Sequence, residues 1–126
     1  MATVTVELAR GLEVGEVRHT LAEVRGATVG DMLDAAEEGE RLVRTPDGDF
    51  RLLASAELVG VSLLRRQIVR IGEHPGPLTL GEIRRLDAGD MERLQRAAQE
   101  LEAASLGGAR PGEPSGAGGG KSSRRK

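Results

Sequence analysis

The chain has no cysteine, no tryptophan, no tyrosine and a single phenylalanine among its 126 residues. Without a thiol there is no disulfide framework, no cysteine nucleophile and no cysteine-ligated zinc or iron–sulfur site. Its two histidines, His19 and His74, are far apart in sequence and make no multi-histidine metal centre. Stacking on bases or sugar rings would rest on Phe50 alone. No apolar run reaches the roughly 18 residues of a spanning helix. The start, MATVTVELARG, lacks the basic segment and apolar block of a secretory signal. Both features point to the cytoplasm, with no membrane partner, and neither cofactor nor metal is expected.

What is present is unevenly distributed. Residues 1–106 hold 13 of the 18 basic and 19 of the 20 acidic side chains, a net of −6, whereas residues 107–126 hold 5 and 1, a net of +4. The last segment, GGARPGEPSGAGGGKSSRRK, also carries 7 of the 18 glycines and no large apolar side chain. Such a composition cannot bury enough surface to offset the entropy of ordering it. The expectation is one folded domain over 1–106 and a disordered, Gly-rich basic tail over 107–126.

Within the domain, Thr3–Leu8 (TVTVEL) alternates with period two, as a half-buried strand requires. A second strand is expected within Val17–Val24, pairing back on the first, with a turn or bulge near Gly15. Thr28 caps a helix carrying Val29, Met32, Leu33 and Ala36 at helical spacing, with Asp31 at the third position and Gly39 as a left-handed stop. Asp31, Asp34, Glu37, Glu38 and Glu40 read as a solvated polar face. Pro46, Asp47 and Gly48 then mark a turn, in a small hairpin or an ordered loop.

Ser55–Ile71 has the strongest period in the chain. Leu58, Val61, Leu64, Ile68 and Ile71 follow one another at intervals of about 3 to 4, the stripe of an amphipathic helix. Thr79 and Glu82 form a capping box for a short helix through Leu86. Asp87 caps the last helix, Ala88 to Ser105, with Met91, Leu94, Ala98 and Leu101 as its stripe. The fold class is α+β, an N-terminal β-hairpin packed against three to four helices.

Motifs suggestive of chemistry are weak. GGGKSS resembles the end of a phosphate-binding loop, yet no strand precedes it and only four residues follow Ser122. The basic end (Lys121, Arg124, Arg125, Lys126) offers salt-sensitive contact with phosphate backbones, which makes a small regulatory or nucleic-acid-associated protein the alternative reading. The acidic body opposes it, and nucleic acid is not the expected partner. His19 and His74 have no recognisable nucleophile or acid beside them. The opening hairpin followed by TVGDMLDA also resembles the start of ubiquitin-like sulfur carriers, which end in an activated Gly-Gly. Here Gly107 and Gly108 are followed by 18 more residues.

Taken together, three pieces resemble the tail assembly chaperones of Mu-like prophages and related contractile-tailed phages. They are VTVEL with a second strand before ATVGDMLDAAE, the segment ASAELVGVSLLRRQIVRIGE, and LTLGEIRRLDAGDMERLQRAAQEL. Their order and spacing carry the likeness across residues 3–104. The shortage of aromatic residues and the basic extension depart from it. The resemblance implies a non-enzymatic protein of the host cytoplasm that binds the tape measure protein, a very long, mostly helical and apolar chain. It keeps that chain soluble, leaves as tail tube subunits polymerise, and is absent from the mature virion. The tail tube protein is then an indirect partner. Leu58, Val61, Leu64, Ile68 and Ile71, or Met91, Leu94, Ala98 and Leu101, would supply either core or a partner-binding groove. The family also often makes a longer form by ribosomal frameshifting, a further expected partner. Gly120-Lys121 is the dipeptide that a G-run followed by an A-run would encode.

Overall fold

The computed structural model describes residues 2–107. Of the tail, residues 108–126 lie outside the described residues, and with them Gly108, the GGGKSS motif and the Gly120-Lys121 dipeptide. The α+β class is observed, with four helices among the described residues.

Strands β1 (Thr3–Val14) and β2 (Val17–Arg25) form the opening hairpin, turning at Gly15, whose φ of 64° is the left-handed conformation such a tight turn needs. The register pairs Val4 with Val24 and Val6 with Ala22, so that Val4, Val6, Leu8, Ala22 and Val24 face one side. Leu21 and Val17 point the other way and are exposed. Between the Glu7–Leu21 and Leu12–His19 pairs the ladder is interrupted by a wide bulge in β1. Gly11 sits in this bulge at φ 76°, so close to the His19 carbonyl that a Cβ would lie 2.1 Å from its oxygen.

Helix α1 (Val29–Glu38) starts at Thr28 with a complete capping box, the Asp31 amide donating to Thr28 Oγ1 and the Thr28 amide to Asp31. Gly39 ends the helix, but at φ −81° rather than in the left-handed region. Glycine is required there for space, since a Cβ would lie 2.2 Å from a Val59 methyl. The turn-rich segment is a hairpin, β3 (Glu40–Arg44) and β4 (Phe50–Ala54), in a sheet of its own.

Helix α2 (Ala56–Gln67), capped by Ser55, is shorter than the sequence period suggests. Ile68–Ile71 is strand β5, antiparallel to β2 with Ala22 opposite Ile71. Ile68 and Ile71, three apart, fit a helical stripe and would fall on opposite faces of a regular strand, but the register shift between the Glu23–Arg70 and Val24–Ile68 pairs lets both be buried. The open edge of β2 decides between them, since pairing there completes backbone hydrogen bonds that a helix would leave unmade on the sheet. Strand β6 (His74–Pro75) completes the sheet in the order β1-β2-β5-β6. The short helix α3 (Leu80–Ile83) has its Thr79–Glu82 capping box but stops before Leu86, and α4 (Ala88–Gly107) runs two residues past Ser105.

The core lies between the sheet and helices α2, α3 and α4. It is built from Leu8, Leu12, Ala22, Val24, Leu64, Ile68, Ile71, Leu78, Ile83 and Leu94. Asp90, in the first turn of α4, is fully buried beside it. Its carboxylate accepts the amides of Ala9, Arg10 and Gly11 at 2.7, 2.9 and 2.8 Å. These three amides lie where the β1 bulge interrupts pairing with β2, so one carboxylate satisfies them together, while Arg18 donates to the Arg10 carbonyl. Arg93, one turn along, pairs with the same carboxylate.

Candidate partner-binding surface

Helix α1 is mounted in reverse. Asp31, Ala35 and Glu38 share the face turned to the body, where Ala35 is fully buried, while Val29, Met32 and Leu33 are 71%, 54% and 66% exposed. The sequence reading had these apolar positions inward and the carboxylates solvated. The structure corrects it for Asp31 and Glu38, which find arginines, while Asp34, Glu37 and Glu40 are exposed as that reading expects.

At the start of α1, Arg25 from the end of β2 grips Asp31 with two nitrogens, at 2.7 and 3.2 Å, and donates to the Gly26 and Arg66 carbonyls. At its end, Glu38 Oε1 accepts from Arg65 at 2.8 Å, from Arg66 at 2.7 Å and from the buried Ser62 hydroxyl. The Arg25 hydrogen bonds, against a smaller cost of burial, lower the Asp31 carboxyl to about 2. Hydrogen bonds from Arg65 and Ser62 first, and Arg66 in lesser part, bring Glu38 to about 2 as well. Depressed carboxyls contribute stability above their ordinary values of 3.8 and 4.5, and lose it as pH falls toward 2. Acidification through that window is therefore expected to free α1 before the sheet. Amide exchange by NMR should show α1 losing protection while β2 and β5 keep theirs; simultaneous loss would contradict the anchoring.

Between α2 and α4 runs an open groove of about 410 Å³. Leu63 and Gly60 line it from α2, Ala98, Leu101 and Leu106 from α4, and Met32 of α1 stands at its edge. Gln67, Gln95, Gln99, Glu102 and Ser105 are the polar groups along it. A trough with apolar walls and polar edges suits an amphipathic helix that presents anchors three and four residues apart.

The nine stripe residues separate between core and surface. Leu64, Ile68, Ile71 and Leu94 are 3% exposed or less and belong to the core. Val61, Met91, Ala98 and Leu101 are half-buried against it, and Leu58 is half-buried near the start of α2. Leu64, Ala98 and Leu101 line the groove. Leu63, Gly60 and Met32 join them there without belonging to either stripe. Leu63 widens the apolar stripe of α2, which is the signal that marks it in the sequence.

The chemistry-bearing candidates have structural partners. His74 Nε2 lies 2.8 Å from Glu82 Oε2, an acid that the sequence spacing did not reveal, and Glu82 itself closes the α3 capping box. The Glu73 amide approaches Nδ1 of His19, whose ring packs against Gly72. Gly107 is the last residue of α4. Among the described residues no group of three or more side chains is arranged to hold a metal ion, and no helix is long and apolar enough to cross a membrane.

The family described as tail assembly protein gp41 matches residues 8–111, a span that includes the groove, α1 and the β3–β4 hairpin. The Mu-like prophage FluMu protein gp41 of Haemophilus influenzae is 41% identical over 97 residues, covering 77% of this chain and 76% of that protein. Two proteins of Escherichia phage Mu, the probable tail assembly protein FS-gp41 and the probable tail assembly protein gp41, are each 40% identical. Those matches cover 71% and 60% of this chain, and 49% and 52% of the phage proteins. The chain thus spans about half the length of the two phage Mu relatives. No solved structure matches.

Proposed function

This chain belongs to the tail assembly protein gp41 family, and on that premise we propose that it serves phage tail assembly as a chaperone of the tape measure protein. It takes an apolar helix of that partner into the groove between α2 and α4, holds it soluble in the host cytoplasm, and leaves as the tail tube closes around it. The role is one of binding, without catalysis, and the protein is absent from the finished virion. The groove carries this reading. Its apolar walls stay open to solvent in a protein whose core is already complete, and an unfilled apolar trough of this size marks a binding site.

Co-expression with the neighbouring tape measure protein is expected to raise that protein's soluble yield several-fold. No gain in the presence of a folded chaperone would overturn the proposal. The frameshifted longer form is a further proposed partner, and codons 118–121 without a G-run and an A-run would remove its basis.

A further inference from the structure

Met32 carries the groove onto helix α1. It lines the trough and is itself exposed. A helix turns by about 100° per residue, so the side chains that follow Met32 round the axis are Ala36, Val29 and Leu33, all exposed. Glu37 and Asp34 come next, also exposed, because the arginine anchors hold Asp31 and Glu38 on the opposite face. The segment from Gly26 to Glu40 contains no basic side chain. Glu102 is the one charged residue among the described residues that line the groove. The apolar surface thus begins in the groove, crosses the outward side of α1 and ends at an acidic margin. Other bare apolar side chains, Val17 and Leu21 on β2 and Leu42, Phe50 and Leu52 on the β3–β4 hairpin, stand outside the groove.

Resting on the groove reading above, we propose that the same partner brings two neighbouring helices. One sits between α2 and α4, and the second lies on the outward face of α1 with lysine or arginine turned to Glu37 and Asp34. Packed helices lie about 8–10 Å apart, so a helix seated in the groove reaches Met32 but not Leu33, which lies farther round α1. A second helix beside the first covers Ala36, Val29 and Leu33 and removes the continuous apolar surface from water. The acidic margin repels an acidic helix there and orients a basic one.

Competition tests this. An unaltered and a variant full-length chain, differently tagged, are co-expressed with the tape measure protein, and the share of each in the captured complex reads their relative affinity. Leu33→Glu is expected to lose about 10-fold or more of its share, as loss of a central apolar contact does. Glu37→Lys loses about 3-fold or more by repelling the basic helix. Leu42→Glu, at an equally bare position on the hairpin, keeps an equal share. Circular dichroism shows unchanged helix content in all three. A Leu33→Glu chain that competes evenly would overturn the proposal, as would a Leu42→Glu chain that loses as much. A Glu37→Lys chain that competes evenly would overturn the basic partner helix. Gly60→Arg separates this surface from the groove itself. Its loss of share beside even competition by Leu33→Glu confines the partner to the groove, whereas even competition by both removes the groove reading as well.

Discussion

Replacing Asp90 with alanine is expected to lower the stability of the domain by about 3–5 kcal/mol, the scale of removing one partner from a buried charged network. The carboxylate is fully buried and is the acceptor for three consecutive amides. With alanine those donors face the interior without partners. Burial disfavours the charged form of Asp90, but the amides of Gly11, Ala9 and Arg10, with the charge of Arg93, outweigh it and hold the carboxyl below its ordinary value. Against a typical domain stability of about 5–15 kcal/mol, such a loss brings the chain close to unfolding. Thermal denaturation should fall by roughly 15–30 °C. Asp90→Asn keeps the shape and one acceptor oxygen but turns an amide nitrogen toward the Ala9 donor, and about 2 kcal/mol is expected to be lost. A shift no larger than that of the exposed control Glu92→Ala would contradict the clamp.

Asp90 was invisible in the sequence for a definite reason. An acid in the first turn of a helix is ordinarily explained by the helix dipole and by solvent. Nothing local reveals that a bulge 80 residues earlier leaves its amides free. The same limit governs α1. Its period was legible, but which side faced the body depended on Arg25, Arg65 and Arg66 arriving from other elements. Local chemistry was read well: the Thr28 cap and the Thr79–Glu82 capping box form as their spacing indicates. The α2 stripe failed at its end, where Ile68 and Ile71 keep the helical period but pair with the distant edge of β2 through an irregular register that no local pattern shows. For the groove, Ala98 and Leu101 were legible from the α4 stripe. Gly60, a residue without a side chain, could not be assigned to it by any apolar pattern.

Gly60→Arg is expected to abolish partner solubilisation while leaving the fold intact. A Cβ at this position meets nothing within 4 Å, and the residue lines the groove in the middle of α2. Arginine is a better helix former than glycine by roughly 0.5–1 kcal/mol, so stability should hold or rise. The long cationic side chain, however, occupies the trough that an apolar helix would enter. Soluble yield of co-expressed tape measure protein should fall to the level seen without chaperone, whereas Gly60→Ala should retain it. A Gly60→Arg protein that solubilises its partner as well as the unaltered chain would exclude the groove as the binding site. That pairing of raised stability with lost function separates the groove's role from any general effect on folding.

The most direct measurement is hydrogen–deuterium exchange on the copurified complex with the tape measure protein, compared with the free chain. Helix capture between α2 and α4 predicts slowed exchange over residues 60–67 and 95–106, with the β1–β2 hairpin unchanged. Unaltered exchange in both of those segments, with protection elsewhere, would contradict it.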